Sequence, residues 1–141
     1  KDLTGLPLII KGVRTVGDAI QAAEYGADAV VVSNHGGRQL DGTRSSIETL
    51  PEIASAVGDR LEVFLDSGIR RGLDVLKAIA LGARAVLMGR PLFWGLAVNG
   101  EAGVRTALDI LRVEFDRAMA YCGRTRIADI DRSLVTLPSE L

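Results

Sequence analysis

The sequence predicts an α/β fold, a (β/α)8 TIM barrel of which this chain supplies four βα units, a half-barrel. Three observations predict it: four continuous apolar runs, a helical pattern after each, and an internal repeat. Apolar runs that do not alternate with polar residues suit strands buried on both faces of a parallel sheet. The resulting order, βαβαβαβα, winds into one parallel sheet through right-handed crossovers.

The first run is Leu8-Ile9-Ile10-Lys11, closed by Gly12. A helix follows over 15–25, opening on Thr15-x-x-Asp18 and stopping at Gly26. Ala29-Val30-Val31-Val32-Ser33 is the second run, and Ser45-x-x-Glu48 opens a second helix that reaches Val57 and ends at Gly58. The third run, Val63-Phe64-Leu65-Asp66, leads to a helix over 72–81 with Leu73, Leu76, Ile79 and Ala80 on one side. The fourth run, Ala85-Val86-Leu87-Met88-Gly89, precedes a longer helix over 101–122 that stops at Gly123. The tail 124–141 is polar and is expected to pack loosely outside the barrel.

Shifting the sequence by 56 positions aligns Gly12, Arg14, Asp18, Ala22, Gly26, Ala27, Ala29 and Val30 with Gly68, Arg70, Asp74, Ala78, Gly82, Ala83, Ala85 and Val86. A βαβα module therefore occurs twice. A Rossmann-type open sheet is the competing architecture, but no G-x-G-x-x-G follows the first strand. A complete barrel takes roughly 250 residues. The 141 residues here form one domain, 1–141, with two strand edges that need covering. The chain opens on Lys1 rather than methionine, which leaves room for an upstream segment.

Composition excludes several classes. Seventeen basic and eighteen acidic side chains leave a net charge of −1, so no general nucleic-acid or anionic-membrane binder is expected. No apolar run nears the ~20 residues of a membrane span. Cys122 is the one cysteine and His35 the one histidine, which excludes an internal disulfide and a Cys/His metal cluster. No signal-peptide pattern is present, and a cytoplasmic location is expected. The basic set holds three lysines and fourteen arginines. Arginine forks match carboxylates and phosphates, although codon bias explains most of them as well.

Three of the four runs close on polar residues, Lys11, Ser33 and Asp66, and Arg90 follows the fourth. Parallel strands bring these groups to one rim, where barrel enzymes react. The stretch Ser33-Asn34-His35-Gly36-Gly37-Arg38-Gln39 lies on that rim. Histidine titrates near neutrality and suits a general base. The two glycines allow a sharp turn that brings Arg38 toward His35. Such a pair suits a substrate with a carboxylate beside a carbon or hydroxyl that loses a proton. The plainer reading is a loop histidine capping carbonyls beside a solvated arginine.

Asp66-Ser67-Gly68-Ile69-Arg70-Arg71-Gly72 and Gly89-Arg90-Pro91 follow the last two strands of the chain. Glycine-rich turns at helix starts expose N–H groups to an anion, and these loops of a barrel frequently hold a phosphate. Arg70 and Arg90 would add charge-assisted bonds. A surface arginine pair on simple connecting turns is the alternative. Lys11 is read either as a cation facing a cofactor or as a lysine reaching the rim. Phe93, Trp94 and Cys122 are read as packing residues.

These motifs closely resemble the FMN-dependent L-2-hydroxy acid oxidases and dehydrogenases, a family that includes glycolate oxidase, lactate oxidase and mandelate dehydrogenase. The resemblance runs over nearly the whole chain and covers the C-terminal half of the family's barrel. It implies FMN as cofactor and oxidation of a small 2-hydroxy acid to a 2-keto acid. His35 would be the base as a hydride passes to flavin N5, or would take the α-proton in a carbanion route. It would also contact substrate together with Arg38, which holds the carboxylate. Lys11 would sit by the N1/C2 carbonyl side of the flavin, with Ser33 also in contact. Asp66 would bond ribityl hydroxyls, while Ser67, Gly68, Ile69, Arg70, Gly89 and Arg90 would hold the phosphate. The family commonly has glycine where Ser67 stands, and the loop is expected to survive the serine.

The family's first four strands carry a carboxylate that pairs with the histidine, substrate-contacting tyrosines and further flavin contacts. None is in this chain. The fragment alone is therefore expected to be weak or inactive, and its expected partner is a missing N-terminal half-barrel or a second copy, with homo-oligomerisation expected. Two other readings compete. One is a non-catalytic FMN- or phosphate-binding half-barrel. The other is a different phosphate-binding barrel, such as a flavin-dependent isomerase or nucleotide dehydrogenase.

Overall fold

The computed structural model describes residues 3–137, so residues 138–141 of the predicted tail lie outside the described part. The elements run β1 (Ile9–Val13), α1 (Val16–Glu24), β2 (Ala29–Val32), α2 (Ser46–Val57), β3 (Glu62–Leu65), α3 (Gly72–Ala80), β4 (Ala85–Val86) and α4 (Arg90–Tyr121). Short 3-10 turns follow at Ile127–Asp129 and Arg132–Leu134. The four strands form one parallel sheet in the order β1-β2-β3-β4. A Rossmann sheet reverses its strand order partway, and this one does not.

The repeat is visible in the structure. Asp18 and Asp74 each occupy the third helical position, of α1 and α3. The Asp18 N–H donates to Thr15 Oγ1, whereas the Asp74 carboxylate accepts from the N–H groups of Arg70 and Arg71. Gly26 and Gly82 follow these helices with positive φ, the glycine stop that the sequence predicts. At α2, the Ser45 N–H donates to the Glu48 carboxylate across the predicted capping box.

Val30, Val32, Val63 and Leu65 pack with Leu50, Ile53 and Val57 of α2 and Ala19 of α1 in the main core. All four residues of β2 are buried, as expected for a central parallel strand. The outer strands differ from expectation. Ile9 and Ile10 of β1 are 50% and 37% exposed, and β4 has two residues rather than five. Each has a strand neighbour on one side only, so burial falls off at the borders.

Two further differences have clear causes. The predicted helix over 101–122 is present as the second arm of α4, but an unpredicted first arm precedes it from Arg90, with Pro91 in its first turn. Non-helical Asn99 and Gly100 (φ +54) interrupt α4. A Cβ built on Gly95 would meet Gly103 O at 2.5 Å, so the two arms double back in contact. Glycines at the contact and the turn hide the helical period of the first arm. The tail also packs more firmly than predicted. Ile130 is buried beside Leu76, Ala80 and Met119, and Arg124 and Arg126 pair with Asp131 and Asp129. Cys122 packs at the edge of the same cluster, as the sequence predicts. Among the described residues no helix is long and apolar enough to cross a membrane.

Candidate active site

Parallel order places the C-terminal ends of all four strands on one rim. The register between β1 and β2 slips between Lys11 and Val13, a bulge at Gly12, whose φ is +100. Bulges re-aim side chains. Here Lys11 reaches the rim cleft while Val13 returns to the core. Lys11 Nζ lies 2.6 Å from Asp66 Oδ2 and donates to Ser33 Oγ at 3.1 Å.

Ser33 is fully buried. Its hydroxyl accepts from both Lys11 and the His35 N–H, and it does not line the cleft. It supports the rim from beneath. The turn after it is pinned at each step. The Gly37 N–H donates to Asn34 Oδ1, and the Asn34 N–H donates to Ser46 Oγ at the start of α2. His35 itself has φ +58, a left-handed conformation that costs a non-glycine residue about 1 kcal/mol or more. Among the described residues its imidazole has no hydrogen-bond partner.

At the end of β3, Asp66 receives hydrogen bonds from Lys11 and the Ser67 hydroxyl, the latter at 2.7 Å. Partial burial pushes its carboxyl up. Hydrogen bonds to Lys11, Ser33 and Ser67 and the Lys11 charge outweigh that, and hold it below the ordinary 3.8. Ser67 has φ +73 and Gly68 φ +91. No protein atom lies within 4 Å of a Cβ built on Gly68 or Gly89, so the space above both turns is open. The two arginines after Gly68 part company. Arg71 forms a bidentate pair with Glu114 of α4, while the Arg70 guanidinium lies 5.5 Å from the Trp94 ring centroid. Trp94, expected to be a packing residue, is thus a platform for Arg70.

One cleft of about 490 Å³ collects these groups. Lys11, His35, Arg38, Asp66, Ser67, Gly68, Ile69, Arg70, Gly89 and Arg90 line it, so every predicted site residue except Ser33 reaches it. Its size lies within the range of small-molecule and cofactor sites. Gln39, Leu87, Met88 and Phe93 also line it and escaped the sequence reading. Gln39 stands inside the histidine motif, and Leu87 and Met88 end the fourth apolar run, so position signalled them. Phe93 gave no signal beyond its nearness to Pro91. A smaller cavity of about 310 Å³, lined by Gly12, Arg14, Asn34 and Leu40, adjoins the other side of His35.

The cleft thus gathers one imidazole (His35), four cations (Lys11, Arg38, Arg70 and Arg90) and one carboxylate (Asp66) around one open space. A family model described as FMN-dependent dehydrogenase matches residues 1–137. An L-lactate oxidase of Nostoc sp. is 54% identical over 97% of this chain and 38% of its own length. A pre-mycofactocin synthase of Mycobacterium tuberculosis is 51% identical over 99% of this chain and 35% of its own. A mandelate oxidase variant solved with a monooxide FMN adduct superposes with a TM-score of 0.88 at 51% identity, over 92% of this chain and 41% of that one. The chain spans less than two-fifths of the length of these curated relatives.

Proposed function

The chain belongs to the FMN-dependent dehydrogenase family, and from that premise we propose that it forms the C-terminal half-barrel of an FMN-dependent 2-hydroxy acid oxidoreductase. Residues 1–141 are the barrel's last four βα units, with the tail packed outside. Strands from an N-terminal half, or from a second copy, cover the borders of β1 and β4. The exposed Ile9 and Ile10 support this, since parallel sheets are covered on both faces.

The cleft fits FMN in its charged parts. The open turns at Gly68 and Gly89, flanked by Arg70 and Arg90, suit the phosphate. Asp66 suits the ribityl hydroxyls, and Lys11 suits the polar edge of the ring. When bound, FMN supplies the two-electron acceptor that no side chain provides. Lys11 is an ammonium fixed in place by Asp66 and Ser33 before any substrate arrives, so its electrostatic contribution needs little rearrangement. Arg38 binds the substrate carboxylate through paired N–H···O bonds, which orients C2 toward His35. His35 takes the departing substrate proton on a ring nitrogen. Among the described residues its imidazole lacks an orienting partner, so turnover by the chain alone is weak or absent.

The observation that carries this reading is the convergence of His35, Arg38, Lys11, Asp66 and Arg90 on one cleft at the strand ends. The test is anaerobic addition of L-lactate, glycolate or L-mandelate to the complete FMN-loaded protein. Bleaching of the flavin bands is expected with at least one. His35→Gln should keep FMN bound and stop the bleaching, and Arg38→Lys should raise KM sharply. No bleaching by any of the three overturns the substrate class, which the similarity to a pre-mycofactocin synthase makes the part most in need of testing. Bleaching of His35→Gln at the parent rate overturns the base.

A further inference from the structure

Both main-chain polar groups of Gly36 are held by side chains from the other two cofactor-side turns. The Gly36 N–H donates to Ser67 Oγ at 2.9 Å, and its carbonyl accepts from Arg90 Nη2 at 3.2 Å. Gly36 stands between His35 and Arg38. We propose that Ser67 is a positioning residue, whose hydroxyl fixes the His35–Arg38 turn through the Gly36 amide. This rests on the functional reading above and assigns Ser67 a task different from phosphate binding.

Three features carry the assignment. First, the hydroxyl's hydrogen is already committed, since it donates to Asp66 Oδ1 at 2.7 Å. The oxygen accepts from Gly36. An anion needs a donor, so this hydroxyl is poorly placed to serve one. Second, Ser67 holds φ +73, where glycine is at ease and a side chain is strained. A turn that needed only shape is better served by glycine. Third, the bonds form a closed ring. Lys11 bonds Asp66 and Ser33, Ser33 accepts from the His35 N–H, and Gly36 returns through Ser67 to Asp66. Ser67 is the member that joins the β3 end to the β2 loop. Arg90 adds a second strut from the start of α4. The main chain of the turn is thus anchored on three sides while the His35 ring stays open to the cleft.

The test compares Ser67→Gly with Ser67→Ala in the complete protein, with and without FMN. Both variants lose the hydroxyl, but only glycine relieves the strained φ. Deuterium uptake by the peptide covering residues 34–40 should rise about fivefold in both, as expected for loss of one neutral hydrogen bond. The kcat/KM for the 2-hydroxy acid should fall by about the same factor in both, with FMN affinity changed less than about twofold. Ser67→Gly should melt above Ser67→Ala, since only glycine relieves the positive φ. Parent-like uptake and turnover in Ser67→Gly would overturn the assignment. So would a marked loss of FMN affinity with unchanged uptake, which marks a phosphate-loop residue. Should the parent oxidise no 2-hydroxy acid, the functional reading fails, and the uptake measurement still decides the role of Ser67.

Discussion

The imidazole of His35 lies so close over Gly12 that a Cβ built there would stand 2.7 Å from its Cε1 atom. The bulge that aims Lys11 into the cleft therefore also makes the bed on which the candidate base rests. One residue sets the direction of two candidate side chains, one on β1 and one in the turn after β2.

Gly12→Ala tests this. The new methyl would push the ring aside, and the φ of +100 adds backbone strain of about 1 kcal/mol or more. Flavin reduction by the 2-hydroxy acid should slow at least about tenfold, since small displacements of reacting groups are costly. FMN should still bind. Stopped-flow absorbance beside an FMN titration separates the two effects.

The Asp66 carboxyl is held below its ordinary 3.8 in the folded protein, so it contributes stability above that value and loses it as pH falls through the folded-state pKa. Urea denaturation of the parent and of Asp66→Asn, from pH 7 to pH 3, checks the sign. The stability gap between them should stay constant above about pH 5 and narrow below about pH 4. A gap that widens on acidification contradicts the assignment.

Gly72→Ala should be far more damaging to the fold than Gly12→Ala. A Cβ at Gly72 would lie 2.0 Å from the Phe115 backbone nitrogen and 2.3 Å from the Glu114 carbonyl carbon. The two nearest atoms are backbone of α4, which cannot yield as the far end of a flexible side chain could. A loss of about 3 kcal/mol is expected in urea unfolding, or failure to fold. The Glu114 carboxylate accepts from the Gly72 N–H and from Arg71, so the same variant should separate the start of α3 from α4.

Much of this architecture is legible in the residues, for physical reasons. Val30 to Val32 announce a buried strand because no polar side chain interrupts them. Thr15, Ser45, Gly26 and Gly82 announce helix ends because capping chemistry is local. The first arm of α4 is not legible, since Gly95, Gly100 and Gly103 serve a close contact between arms that sequence spacing does not reveal. Nor is the pairing of Arg70 with Trp94, because it joins the loop after β3 to the first arm of α4. In the cleft, the residue types of the histidine motif point to their chemistry. The buried support of Ser33 and the strained φ of Ser67 are properties of the folded backbone, and appear only there.

The strands follow one another in sequence order and all point the same way. The sheet's left and right margins are therefore not interchangeable: one is β1 and the other β4. Two copies aligned in the same sense meet through unlike margins, and each addition regenerates the margin it consumed. Such stacking has no intrinsic end unless curvature brings the last margin back to the first, and eight staves are the number at which side chains fill the enclosed space.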